Sequence, residues 1–398
     1  MDKVASNPVE SVFDAWQNGK SALLYGPPGT GKTRILSELR RILETPEAAL
    51  GQIGADPSDA RNPFKSIAEM SSVAGSGLPK PVKTIWLTFH QSLGYDDFVI
   101  GLRPDIIDGL PVLVPTAGAL LEAVLELQKA GEAGSVVFFI DEINRGNAAK
   151  IFGEFLTFLD FEYRETDAHG VLNPNRVPLP VRHLQHSGNS YEPLRRGDGS
   201  SARLAYPSFF PRHIYVVATM NSVDRTAIPI DSALARRFDR IDIRPELHLL
   251  ARTWSIEVDD LFERAKIPSQ LTAGEVAILI LDRINLAIAE NFGTDFELGH
   301  GLFLQIKINE EDSWLQLERV WDRVIFPQIE DRFSGRPEEL ASVLRVEEFA
   351  GTGYAWRYRQ SITGQSNSLV LEPVSLAEIR PELAKSSLQL LASRSQIE

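Results

Sequence analysis

Apolar runs and helical stripes alternate along the first 245 residues of the chain. ALLY (22–25) is a short apolar run. Behind GPPGTGKT (26–33), Ile35, Leu39 and Ile42 recur at helical spacing until Thr45-Pro46 stops the run, which predicts strand, loop and helix in that order. KTIWLTF (83–89) mixes β-branched and aromatic residues as a strand does. Leu120, Leu121, Val124, Leu125 and Leu127 make a helical stripe over 117–130 that ends at Gly131. VVFFI (136–140) has the continuous hydrophobicity of a parallel strand buried on both faces, and IYVVAT (214–219) is the next core strand. DSALARRF (231–238) reads as a short helical piece.

Two stretches interrupt this rhythm. Residues 44–81 are rich in Gly, Pro, Ser and Ala, with only a weak apolar cluster at Phe64, Ile67 and Met70, and read as an insertion. Residues 161–211 hold several prolines and glycines and lack a clear element. His169, His183 and His186 lie there and His213 just beyond, without the HxxxH or paired Cys/His spacing of a metal site, so a surface hairpin insertion is expected. After Arg244-Pro245 the pattern turns helical: 261–265, 273–291 and 314–333 carry period-3.6 stripes such as Val276, Ile280, Ile284 and Ile288. Beyond Val346, AWRYRQ and SLVLEP are expected to pair as strands across 363–367, ahead of a weakly amphipathic helix over 375–391.

Composition narrows the class. A chain of 398 residues exceeds one compact core and implies two or three domains. With 41 Lys+Arg against 54 Asp+Glu, the net charge of −13 argues against a surface that binds nucleic acid indiscriminately. The absence of cysteine removes disulfides, thiolate metal sites and thiol nucleophiles. MDKVASNPVESVF lacks a basic stretch followed by an apolar one, and no apolar run approaches the roughly 20 residues of a membrane span. A cytoplasmic protein with no membrane partner is expected.

The chemistry gathers where strands end. Gly26 and Gly31 fit the GxxxxGK[ST] spacing of a phosphate-binding loop, so Gly26, Pro27, Pro28, Gly29, Thr30 and Gly31 are expected to enclose phosphates, with backbone N–H groups turned inward. Lys32 would reach the outer phosphates, and the Thr33 hydroxyl would take one position on Mg²⁺. VVFFI runs straight into Asp141-Glu142. Asp141 is assigned to Mg²⁺, directly or through water, and Glu142 to polarising the attacking water as general base. IYVVAT delivers Asn221 to the same edge of the sheet, placed to orient that water. Arg236 or Arg237 would serve a neighbouring subunit's transition state; the plainer alternative is an ion pair with Asp231 or Asp239.

GPPGTGKT, VVFFIDE, ATMN and ARRF, in this order, look like an AAA+ ATPase core. The resemblance implies an α/β P-loop NTPase fold: a parallel five-stranded sheet with flanking helices plus a C-terminal helical lid domain. FHQSLGYDDFVIGLRP (89–104), DEINRGNAAKIFGEFLTFLD (141–160), MNSVDRTAIPIDSALARRF (220–238) and LGHGLF (298–303) are similar to the McrB family of restriction motors. The expected division is then 1–245 as the nucleotide-binding domain, with insertions at about 45–81 and 161–211, 246–345 as the lid, and 346–398 as an extension of unassigned role.

That resemblance implies a homo-oligomer, a hexamer, with active sites between subunits and Mg²⁺ with ATP or GTP as substrate. It also implies an McrC-like nuclease or other defence-system subunit as partner. Family members commonly carry a modified-base reader ahead of the motor, whereas about twenty residues precede the loop here, so DNA is expected to be reached through the partner. DEINR is shared with MoxR-type chaperones, and a MoxR-like protein-remodelling ATPase is the second reading. Gly301-Leu302 replaces the Ser-Tyr usual after the Gly-His pair, and His300 is not the arginine that many AAA+ lids present.

Overall fold

Contacts divide the chain into two compact units, one running to Ile243 and one from Arg244 onward; the loop Pro27–Gly31 groups with the second. The structure is a computed structural model and describes residues 7–44, 78–129, 134–167, 169–180, 191–205, 207–224, 231–258, 260–363, 366–371 and 374–393. The apolar cluster expected at Phe64, Ile67 and Met70 lies outside the described residues, as do His183, His186 and Arg225.

In the first unit the strands are β1 (Ser21–Gly26), β2 (Val82–Thr88), β3 (Ile100–Ile107), β4 (Leu110–Ala117), β5 (Ser135–Asp141), β6 (Tyr191–Arg195), β7 (Ser201–Ala205), β8 (Ile214–Asn221) and β9 (Phe238–Asp242). Five of them form a parallel sheet in the order β2-β5-β8-β1-β9. The strand period of two sorts its side chains between two cores. Val136, Phe138, Ile140, Val216 and Ala218 face one side, where Leu121 and Val124 of the helix Ala119–Lys129 pack. Val137, Phe139, Tyr215 and Val217 face the other, against Leu36 and Leu39 of the helix Lys32–Glu44. This is why VVFFI reads as unbroken hydrophobicity: every residue has a buried face to fill.

A helix at Pro8–Gln17 also covers the second face, with Val9, Val12, Phe13 and Trp16 buried. Asn7 caps it, its side chain accepting from Val9 N at 3.0 Å, and Pro8 supplies a first-turn φ at no hydrogen-bond cost. Trp16 Nε1 donates to Val216 O at 3.0 Å, so its one polar atom is satisfied inside the core. A second, four-stranded sheet has the order β3-β4-β6-β7. Hairpin β6-β7 occupies the stretch where a surface hairpin was expected, and it pairs with hairpin β3-β4, which the apolar pattern does not predict.

The second unit is helical. Thr272 and Glu275 form a capping box at the head of Ala273–Phe292, whose buried residues include Val276, Ile280, Ile284 and Ile288. The helical turns Ser313–Val320, Trp321–Ile325 and Phe326–Arg332 follow as one continuous rod. β10 (Tyr358–Thr363) and β11 (Ser366–Leu371) pair antiparallel. Trp356, Leu376, Ala384, Leu388 and Leu391 share a single apolar core with Trp321 and Ile325, so the described residues after Val346 fold as part of this unit. Arg345 ties the helix Pro381–Ala392 in place through Leu390 O at 2.9 Å and Ser393 O at 2.6 Å.

Candidate active site

Register brings the sequence-predicted residues to one edge. Gly26 is paired with Asn221 and Ile140 with Ala218, so β1, β5 and β8 end along one edge of the sheet, β8 reaching about two residues beyond Asp141. In a parallel sheet that carboxyl edge is where ligands collect.

Gly26 leaves β1 where a Cβ would lie 2.1 Å from Ile243 O, so only glycine fits. Gly29 and Gly31 have φ of 80° and 85°, conformations that side chains disfavour, and Lys32 opens the following helix. Lys32 is buried, with Nζ donating to Gly26 O at 2.8 Å. Burial lowers its pKa to about 8, against the opposing pull of Glu142 and Asp141. A desolvated ammonium this close to two carboxylates is a strong point charge for phosphate.

Across from it, Thr33 Oγ1 donates to Asp141 at 3.2 and 3.4 Å. A hydroxyl and a carboxylate are hard oxygen donors, without the nitrogen or sulfur that would favour zinc or copper, and they suit Mg²⁺ shared with substrate phosphates. Among the described residues, no group of three or more His, Cys, Asp or Glu is placed to hold a metal ion by itself.

Glu142 follows Asp141 in the left-handed region, φ 56° and ψ 51°. Such backbone costs on the order of 1–3 kcal/mol and persists where surroundings impose it, commonly at functional sites. Asn221 Nδ2 donates to both Glu142 oxygens, at 2.7 and 2.9 Å. Arg145 Nε stands 3.5 Å from Glu142 and 3.6 Å from Asp224. Asn221 therefore grips the carboxylate itself, a contact beyond the water-orienting role expected from sequence.

Two residues at this edge carry no signal in the motif spacing. Thr219 bonds Asp141 Oδ1 at 2.5 Å, and buried Asn144 donates to Asn221 O at 3.3 Å. Both lie within two residues of a motif position, Thr219 near the end of β8 and Asn144 in the turn Ile143–Arg145 after β5, which is the available clue.

The arginines separate. Arg237 is buried, with Nε on Asp160 at 2.9 Å and Nη1 on Ala233 O at 2.7 Å; its ion pair is with neither Asp231 nor Asp239. Arg236 is exposed. His300 is also buried, its Nδ1 accepting from Glu246 N at 3.1 Å.

Within the second unit, Gly301 N donates to Gly29 O at 2.8 Å and Gly299 N to Pro28 O at 3.2 Å. A Cβ on Gly299 would lie 2.0 Å from Gly29 C. Asn285 fixes the approach, with Leu298 N donating to its Oδ1 at 2.6 Å and its Nδ2 donating to Leu298 O at 2.9 Å.

A glycine-rich stretch between strand and helix, with Thr33 of that helix bonded to Asp141 and a polar residue gripping Glu142 from the neighbouring parallel strand, defines a P-loop NTPase fold. Comparison with known proteins refines the class. The AAA domain (dynein-related subfamily) matches residues 81–238, and the McrB, alpha-helical lid domain matches residues 277–341. The chain is similar to the Type IV methyl-directed restriction enzyme EcoKMcrB subunit of Escherichia coli, 23% identical over 84% of this chain and 58% of that protein. It is also similar to the Type II restriction enzyme BsuMI component YdiS of Bacillus subtilis, 21% identical over 55% of each. A shorter match, 39% identical over 16% of this chain and 15% of the other, joins it to the Replication factor C large subunit of Sulfolobus acidocaldarius. The chain thus spans less than two thirds of these relatives' lengths. Along the chain, then, an AAA-domain match is followed by a match to the McrB helical lid, and the restriction-enzyme subunits it resembles share this likeness.

Proposed function

We propose that this chain is the nucleotide-hydrolysing motor subunit of a DNA restriction or anti-phage defence system. The observation that carries it is the grip of Asn221 on Glu142, beside the Thr33–Asp141 pair. A carboxylate held in one orientation at the end of a buried strand is what a general base for water attack requires.

In this reading Gly26 to Gly31 enclose the phosphates and Lys32 neutralises the outer ones. Thr33 and Asp141 would hold Mg²⁺, which supplies charge neutralisation to the phosphates when bound. Glu142 takes the proton of the attacking water, and Asn221 keeps its carboxylate in place. Arg236, exposed, reaches the site of a neighbouring copy in a ring, a hexamer, while Arg237 braces the turn that carries it. The residues accommodate ATP or GTP alike.

Similarity to two restriction-enzyme components favours a nuclease partner of the McrC kind, with DNA contacted through it and the complex in the cytoplasm. Among the described residues no helix is long and apolar enough to cross a membrane. The proposed domain division places the hydrolytic residues in 1–245 and the lid in 246–345. Ring formation with nucleotide, followed by mass photometry, tests the motor assignment. Rings that form with ATP or GTP support it; a chain that stays monomeric and whose turnover no neighbouring gene product changes refutes it.

A further inference from the structure

Thr219 lies on β8, two residues before Asn221, and is 1% exposed. Its hydroxyl donates to Asp141 Oδ1 at 2.5 Å and accepts the Glu142 backbone N–H at 2.9 Å. Register explains the meeting: Ile140 is paired with Ala218, so Asp141 and Thr219 come next and lie side by side.

The two acids need different support. Asp141 must keep its oxygens turned toward Thr33, which requires one fixed side-chain rotamer. Glu142 must hold a left-handed backbone that a non-glycine residue resists. A threonine hydroxyl offers one donor and two acceptor lone pairs, so it can serve both at once. Its β-branched χ1 is stiff, and burial fixes it further. Thr33 bonds Asp141 alone, and Asn221 grips only the Glu142 side chain.

We infer that Thr219 is a positioning residue that couples the two acids: one hydroxyl sets the rotamer of Asp141 and the backbone turn that aims Glu142. This rests on the hydrolase assignment and deepens it. Valine matches threonine in shape but lacks the hydroxyl, leaving Asp141 Oδ1 and the Glu142 N–H each short of a partner. Serine keeps the hydroxyl and loses a methyl group.

The test compares the full chain with Thr219→Val and Thr219→Ser. Steady-state turnover is measured with ATP and GTP, and affinity for a fluorescent ADP analogue is measured with Mg²⁺ and with EDTA. The valine variant is expected to lose about 10-fold or more in kcat, the scale of a hydrogen bond to a charged group. Its affinity in EDTA should match the parent, while the gain in affinity on adding Mg²⁺ should shrink several-fold. Serine should restore both quantities.

A valine variant equal to the parent in turnover and in Mg²⁺ gain overturns the inference. So does a valine variant whose affinity in EDTA also falls, or a serine variant that rescues neither quantity, because a merely structural role would give those results. Where valine lowers the melting temperature, Thr219→Ala removes the same hydroxyl with less steric demand and is read the same way. A parent that neither hydrolyses nucleotide nor binds it better with Mg²⁺ defeats the hydrolase assignment itself, and that result is distinct from the others.

Discussion

Asn221 Nδ2 reaches both carboxylate oxygens of Glu142, at 2.7 and 2.9 Å. A base held this way has its anion stabilised and its direction set before substrate arrives. Asn221→Ala should therefore lower kcat by roughly 10²-fold, the usual contribution of a positioned general base. Nucleotide affinity should stay near the parent's, since Lys32 and the loop are untouched. Equal losses in kcat and in affinity would show that Asn221 supports binding instead.

Arg236 and Arg237 are adjacent but should behave as different kinds of residue. Arg237 is buried and bonded to Asp160 and Ala233 O, so Arg237→Ala leaves Asp160 with the longer Lys20 contact at 3.7 Å and should cost about 1.5–3 kcal/mol, read as a lower melting temperature. Arg236→Ala should melt like the parent and lose turnover only where copies assemble. Mixing it with Glu142→Gln should restore part of the activity, because one of the two mixed interfaces, the one with Glu142 from the Arg236→Ala chain and Arg236 from the Glu142→Gln chain, is intact.

The loop Pro27–Gly31 rests on glycines. With a Cβ at Gly299 only 2.0 Å from Gly29 C and one at Gly301 2.6 Å from Gly29 O, Gly299→Ala or Gly301→Ala must displace the loop backbone. Each variant should keep helical circular dichroism and weaken nucleotide binding by about 10-fold or more, the scale of a misplaced phosphate cradle. Unchanged affinity in isothermal titration would refute the dependence.

His213 should make stability fall in mild acid. Burial, then Arg212 and Arg164, lower its pKa. The unfolded chain takes up that proton near pH 6.5 while the folded chain resists it, so stability is lost as pH falls below about 6.5. Urea midpoints at about pH 7.5 and 5.5 should diverge more for the parent than for His213→Gln. Equal divergence would exclude His213 as the source.

Much of the α/β unit was legible because its central strands are buried on both faces and its helices on one. VVFFI and the stripe Ile35, Leu39, Ile42 announce themselves for that reason. Hairpin β3-β4 does not. Leu102, Ile106 and Leu113 are exposed, Pro104, Pro111 and Pro115 interrupt the strands, and no buried face imposes alternation. Its one local signal was the Asp108-Gly109 turn, both residues at positive φ. The helix Pro8–Gln17 has Asn7-Pro8 at its head, but its ten residues give the helical period little room to stand out. At the site, Lys32, Thr33, Asp141, Glu142 and Asn221 were readable from spacing, whereas Thr219 and the burial of Arg237 depend on strand register and tertiary packing that spacing does not encode.

The central claim is that Glu142 drives nucleotide hydrolysis at the edge shared by β1, β5 and β8. Its most direct test is steady-state phosphate release from ATP and GTP with Mg²⁺, parent against Glu142→Gln, with nucleotide affinity measured in parallel. The carboxamide keeps the shape and loses the base, so turnover should fall by at least about 10²-fold while binding persists. A glutamine variant that releases phosphate at the parent's rate would contradict the account.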